Sequence, residues 1–247
     1  MRIIGIIPAR YASSRFPGKP LVDIGGKSMI QRVYEQVKSC SSLAEVVVAT
    51  DDVRIEEHVR SFAGNVIMTS PTHQSGTDRC AEVINKVTGF DVAINIQGDE
   101  PFVNPLQIDL LCSLFTDQTT EIGTLVRRIE DSKDLFNENT PKVVFDKNNR
   151  ALYFSRQTIP FFRGIEKENW FDQPRSFYKH IGIYGYRTKT LKEITQLPIS
   201  DLEKTEALEQ LRWLENGYHI RIAETTHDTI AVDHPEDLEA IKNRFFR

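Results

Sequence analysis

The sequence predicts an α/β protein: a Rossmann-like three-layer fold with a mostly parallel central sheet and an inserted antiparallel subdomain. Three observations predict it. Short β-branched runs alternate with stretches of helical period through the first half of the chain, the pattern of βαβ units. The runs are apolar throughout, as strands buried on both faces are. After about Gly123 the alternation gives way to closely spaced strand-like runs and turns.

The elements follow in order. Residues 2–7 form a buried strand bounded by Pro8. A loop with the cations Arg10, Arg15 and Lys19 comes next, then a turn at Gly25-Gly26. Ser28 with Gln31 three residues later reads as a capping box, and Met29, Ile30, Val33 and Val37 recur at helical spacing. Residues 45–50 are a second strand. Asp51-Asp52 opens a helix with Ile55, Val59 and Phe62 on one stripe. Residues 66–68 are a short strand and 77–87 a helix. Residues 92–96 are a fourth strand, broken by Gln97-Gly98-Asp99-Glu100-Pro101, and a helix follows over 105–115. In the second half, 142–145, 151–154 and 180–186 are strand-like, with turns at Asn148-Asn149 and across 164–175. A long helix is expected over 203–215, stopped by Gly217. Residues 220–223 and 229–232 are strands, and Pro235, Glu236 and Asp237 open the last helix.

Composition bounds the function. The chain has 247 residues, 40% hydrophobic and 27% charged, a globular balance with enough apolar residues for a sizeable core. A net charge of -4 excludes a general polyanion binder, so no nucleic-acid partner is expected and any anion site is local. Cys40, Cys80 and Cys112 are far apart and form no C-x-x-C pair, which argues against a disulfide framework or zinc ribbon and fits a reducing cytoplasm. The N-terminal apolar run is too short for a signal peptide, and no run is long enough to insert into a membrane.

Six stretches bear on the chemistry. In the loop after the first strand, Arg10, Arg15 and Lys19 with Gly18 suit a polyphosphate, although a solvated loop can carry the same charges. His73-Gln74-Ser75-Gly76-Thr77-Asp78-Arg79 opens a helix with small side chains and backbone donors, fitting either a nucleobase or plain N-capping. Asp99, just past a buried strand, is a hard ligand for Mg²⁺ on substrate phosphates, or a turn residue. Asp233 matters to a metal only if it meets Asp99. Between these two acids in the chain, His180 and Tyr184 are four apart on a strand-like run and share a face. On the helix over 203–215, Ala207, Leu208, Leu211 and Leu214 form the apolar face, while Trp213 shares the side of Glu209. That second face is expected to meet a cleft, the inserted part or another subunit. Gly25-Gly26-Lys27-Ser28 lacks the leading glycine of a P-loop, and no G-x-G-x-x-G is present.

In order and spacing, IIPARYASSRFPGKPL, VATDD, HQSGTDR, NIQGDEP, ALYFSRQTIPFFR, KHIGIYGYR, LEQLR and VDHPEDLEAI resemble the 3-deoxy-manno-octulosonate cytidylyltransferase (CMP-Kdo synthetase) family over nearly the whole chain. The resemblance implies a homodimeric, Mg²⁺-dependent enzyme that transfers CMP from CTP to the anomeric hydroxyl of Kdo for lipopolysaccharide biosynthesis. It implies one nucleotidyltransferase domain over 1–247, with a nucleotide-binding part at about 1–122 and 225–247 and an inserted sugar-binding and dimerisation part at about 123–224. It assigns Arg10 and Lys19 to the CTP phosphates with Ala9 beside the nucleotide, and Gln74, Ser75, Gly76 and Arg79 to cytidine. Asp99 and Asp233 match the metal-binding acids. Gln97 lies at the sugar, and Arg156, Arg163, His180, Tyr184, Glu209 and Gln210 match the Kdo-binding positions. Arg10, Lys19, Asp99 and Asp233 together are the implied catalytic set. The sequence departs from the family at His234, where threonine is expected. Alternatives are a cytidylyltransferase for another acidic sugar, such as sialic acid or an amino-substituted Kdo, or a non-catalytic nucleotide-binding regulator.

Overall fold

The computed structural model describes residues 1–12, 16–173, 177–228, 231–232 and 235–238. Nine strands form one sheet among these residues. They are β1 (Ile3–Ala9), β2 (Glu45–Thr50), β3 (Val66–Met68), β4 (Val92–Asn95), β5 (Ile122–Arg128), β6 (Lys142–Phe145), β7 (Ala151–Ser155), β8 (Tyr178–Arg187) and β9 (Ile220–Glu224). The order is β3-β2-β1-β4-β8-β5-β9, with the β6–β7 hairpin hanging from β8. Pairings are parallel except at β8, which runs antiparallel to β4 and β5, and in the hairpin with its link to β8.

The α/β expectation therefore holds, with a change in where the second half goes. The run at 178–187, expected in the inserted part, lies inside the central sheet between β4 and β5. Its alternate residues explain this: Ile181 and Ile183 bury on one face, Tyr184 and Tyr186 on the other. A strand apolar on both faces has no place at a solvated edge.

Helices cover both faces. α1 (Met29–Lys38), α2 (Val53–Ser61) and α4 (Pro105–Ser113) pack on one, where Ile3 and Ile7 of β1 point. α3 (Gly76–Lys86), α6 (Thr188–Ile194) and α8 (Gln210–Glu215) pack on the other, against Ile4 and Ile6. A satellite cluster of Ile129, Trp170, Phe177 and Leu135 of α5 (Ser132–Phe136) anchors the chain between β7 and β8.

Local expectations fail in four places. Pro8 does not end β1, because it lies in the parallel ladder opposite Ala49, beyond the last residue paired to β4. Ser28 caps α1 by accepting from Gln31 N, but the Gln31 side chain turns to Glu35, so the box is half made. The helix expected over 203–215 is two helices, α7 (Asp201–Glu206) and α8, broken at Ala207 with φ 50°. The break swings Leu208, Leu211 and Trp213 into the core and leaves Ala207 exposed. Its freed carbonyls are met by Arg156, which donates to Glu206 O and Ala207 O. Of the strand expected at 229–232, residues 229 and 230 lie outside the described residues, and 231–232 are not in a strand. Residues 235–238 are helical.

Candidate active site

β1 lies between β2 and β4, so the chain leaves the sheet in opposite directions after β1 and β4. Such a switch point opens a crevice at the carboxyl ends of the strands. A cleft of about 250 Å³ lies there. Three loops line it: Ala9, Arg10 and Lys19 after β1, His73 to Gly76 before α3, and Gln97 to Asp99 after β4.

Glycines let these loops close on each other. Gly18 has φ 73°, and its N–H bonds Tyr11 O at 3.0 Å, bringing the chain back so that Lys19 faces the cleft. A Cβ on Gly98 would stand 2.7 Å from Pro8 O, so any side chain there would push the β4 loop off β1. Lys19 Nζ meets Asp99 Oδ2 at 2.7 Å, joining two loops 80 residues apart. Of the basic loop, Ser13, Ser14 and Arg15 lie outside the described residues.

The loop before α3 is both a helix cap and a cleft wall. Ser75 Oγ accepts from Asp78 N at 3.1 Å, and Asp78 Oδ2 accepts from Ser75 N at 3.2 Å. The first turn of α3 therefore reaches the cleft with Gly76 in its wall. Arg79 lines the same cleft, but it is 4% exposed, and its guanidinium is held by Asp51 at 2.7 Å and Thr69 at 2.8 Å. Its charge fixes the ends of β2 and β3.

Most of the expected sugar residues gather beside this cleft. The β5–β8 register shifts between Thr124 and Leu125, whose partners are Tyr184 and Ile181, so Gly182 and Ile183 bulge out. Gln97 Nε2 donates to Gly182 O at 3.1 Å, and Thr124 Oγ1 donates to Ile183 O at 2.7 Å. With that hydroxyl proton committed, His180 Nε2 donates to Thr124 Oγ1 at 3.0 Å and leaves Nδ1 as an acceptor. The His180 and Tyr184 rings are 5.1 Å apart, sharing a face as their spacing requires. Trp213 packs edge-on to Tyr184 and Tyr186, so it faces the sheet. Glu209 Oε2 accepts from Thr77 Oγ1 at 2.7 Å, and Oε1 from Arg212 at 3.1 Å.

Arg156 and Arg163 stand apart from the cleft lining. Arg156 donates to Glu138 O at 3.1 Å besides the α7 carbonyls, and Arg163 is exposed on the loop after β7. Asp233 and His234 lie outside the described residues, but Val232 N donates to Asp99 O at 3.0 Å. Val232 thus lies against the Asp99 backbone.

Burial sets the electrostatics. His180 is pushed down to about 3 by desolvation, so it is neutral near pH 7. Glu209 is raised by burial, which outweighs the Thr77 hydroxyl and Arg212. Glu100 is raised to about 8 by burial and then by Asp99 beside it. Asn95 Oδ1 and Gln210 Nε2 are buried without a hydrogen-bond partner among the described residues, and the buried Tyr184 and Tyr186 hydroxyls have no close partner beyond the pull of the Thr124 and Thr77 hydroxyls. Asn95 and Tyr184 are register partners, and Glu209 acts electrostatically on both tyrosines. Such a concentration of unpaired polar atoms points to a polar ligand.

Sequence reasoning missed Thr124, Asn95 and Tyr186. Tyr186 carried a signal, since it stands two residues after Tyr184 on a strand. Thr124 carried none, because a bulge made by a distant pairing has no local signature.

Comparison with known proteins agrees with this geometry. A cytidylyltransferase family model matches residues 4–225. The 3-deoxy-manno-octulosonate cytidylyltransferase of Parabacteroides distasonis is 58% identical over 97% of this chain and 96% of its own length. That of Thermodesulfovibrio yellowstonii is 51% identical, covering 97% and 96%. A solved CMP:2-keto-3-deoxy-manno-octonic acid synthetase complexed with CTP superposes with a TM-score of 0.91 at 43% identity, covering 98% of both chains. A putative glucose-1-phosphate thymidylyltransferase from Bacillus anthracis shares the fold, at TM-score 0.66 and 17% identity over 98% and 94%. The chain belongs to the cytidylyltransferase family, among the 3-deoxy-manno-octulosonate cytidylyltransferases.

Proposed function

We propose that the protein couples CTP to the anomeric hydroxyl of Kdo, giving CMP-Kdo and pyrophosphate for lipopolysaccharide biosynthesis. The observation that carries this reading is the adjacency of two unlike sites. A cleft with Arg10 and the Lys19–Asp99 pair borders, across Gly76, a buried polar patch: Asn95 Nδ2 is 3.6 Å from a Cβ built on Gly76, Asn95 Oδ1 has no partner among the described residues, and its register partner is Tyr184. The first suits a triphosphate and the second a polyhydroxy sugar. The names of the relatives and the CTP complex of the similar structure support the same assignment.

Attack on the α-phosphorus builds negative charge on the non-bridging and leaving oxygens. Arg10 and Lys19, which line the cleft, supply positive charge for those oxygens. Gln74, Ser75 and Gly76 hold the cytidine. Gln97, His180, Tyr184, Glu209 and Gln210 orient the sugar hydroxyls, and the family pattern leaves the sugar carboxylate to Arg156 or Arg163, both outside the cleft lining in this structure. Mg²⁺ fits the donor set. It is commonly bound by one or two carboxylates plus substrate phosphates, and Asp99 offers a carboxylate at the cleft. Asp99 and Asp233 would hold it; when bound it neutralises the triphosphate and orients it. Homodimerisation and a cytoplasmic location complete the proposal, and no helix among the described residues is long and apolar enough to cross a membrane.

The test is pyrophosphate release from CTP with Kdo, amino-substituted Kdo and sialic acid. Kdo should be the preferred acceptor, and ATP or GTP should replace CTP poorly. Equal use of a purine nucleotide, or preference for another sugar, would overturn the assignment.

A further inference from the structure

The loop between β3 and α3 supplies His73, Gln74 and Ser75 to the cleft, yet only its first residue, Thr69, is buried. Polar contacts therefore hold it: Arg79 fixes its start at Thr69 Oγ1 and Ser70 O, and the contacts of Ser70 N and the His73 ring converge on one side chain that lines no part of the cleft. Glu82, on the second turn of α3, receives Ser70 N at 2.8 Å and His73 Nε2 at 2.5 Å on the same oxygen. Its other oxygen meets Lys86 Nζ at 2.6 Å, and Lys86 in turn bonds Met68 O, at the end of β3, at 2.6 Å. Both ends of the 70–73 segment are thus tied to the helix that the segment precedes. Within it, the Ser70 and Thr72 hydroxyls meet at 2.7 Å, and Gln74 Nε2 donates to Thr72 O at 3.0 Å. The Gln74 side chain is therefore set by a carbonyl inside the segment whose two ends Glu82 holds.

We infer that Glu82 and His73 form a latch that presets the nucleotide loop, making Glu82 a positioning residue for CTP recognition. This rests on the cytidylyltransferase reading of the cleft. The carboxylate is suited to holding the loop. Burial would raise its pKa, but Lys86, the Ser70 N–H and His73 together hold it at about 2, so it stays an anion at working pH. Since it only accepts, His73 Nε2 carries a proton and the ring has one orientation. A loop held before CTP arrives does not have to be ordered on binding, which favours affinity for the nucleotide without touching the transferred group.

The experiment uses the full-length protein, with CTP binding by calorimetry and steady-state kinetics for both substrates. Glu82→Ala should weaken CTP binding and raise the CTP KM about tenfold, while kcat and the Kdo KM change less than twofold. Glu82→Gln, which still accepts from Ser70 N–H and His73, should recover most of the CTP affinity. In a double-mutant cycle, His73→Ala should cost much less in the Glu82→Ala background than in the wild type. Should Glu82→Ala fail to fold, Glu82→Gln, His73→Ala and their double variant supply the same cycle. An unchanged CTP affinity, an additive cycle, or a loss in kcat alone would overturn the latch. Calorimetry with CTP separates this from the function itself: wild type that binds CTP but makes no CMP-Kdo leaves the latch testable and refutes the reaction.

Discussion

Glu209 and Thr77 are 132 residues apart in sequence, and the Glu209 carboxylate accepts the Thr77 hydroxyl at 2.7 Å. This bond joins the segment matched to the sugar to the helix whose first turn enters the nucleotide cleft. On the proposed reading of the site, sugar recognition and nucleotide recognition share a wall.

Glu209→Ala should therefore affect both substrates. It strands the Thr77 hydroxyl and an Arg212 donor, at about 1–3 kcal/mol. Catalytic efficiency for Kdo should fall about tenfold or more, and CTP affinity should fall less but measurably. Kinetics in both substrates with calorimetry for CTP check this. CTP affinity equal to wild type would mean that the Thr77 bond carries no information to the cleft.

Lys19 and Asp99 should be needed for turnover. Removing one preorganised donor costs about 3–4 kcal/mol of barrier, so Lys19→Ala should lower kcat by about 10²–10³. Asp99→Asn should lose most turnover even at saturating Mg²⁺ with circular dichroism unchanged. Near-wild-type rates in either variant would remove that residue from the reaction.

Stability should fall as pH rises through the carboxylate range of Glu100. Its pKa of about 8 in the fold exceeds the ordinary 4.5, so the native state holds a proton that the unfolded chain has lost between these values. The loss grows from about pH 4.5 and levels off above about 8. Thermal melts without Mg²⁺ should show a shallower decline for Glu100→Gln over this window. His180 acts in the opposite sense on the acid side, where stability is lost as pH falls from 6.5 toward about 3.

Ala207→Gly should stabilise the protein. Ala207 sits at φ 50°, where a Cβ costs about 1–2 kcal/mol, and its side chain is exposed and fills no core space. Part of that gain is offset by the greater freedom of glycine in the unfolded chain. A melting-temperature rise of about 2 °C is expected by calorimetry. A fall would mean that the break between α7 and α8 depends on the alanine itself.

The layered α/β design and the cleft's three loops were legible in the residue order alone. Buried parallel strands must be apolar throughout, and the loops after them must carry the polar chemistry, so Arg10, Lys19, Ser75 and Asp99 stood out from neighbours such as Ile6 and Ile94. The tertiary structure decided what depends on pairing between distant segments. It put β8 into the central sheet, opened the bulge at Gly182 that Thr124 secures, and broke the 203–215 run at Ala207 so that Arg156 caps it. It also spent the Arg79 charge on Asp51 and brought Glu209 to Thr77. A local pattern records which face of an element is apolar. It does not record which remote hydroxyl, carbonyl or carboxylate meets the polar atoms left over, because those partners are chosen by packing.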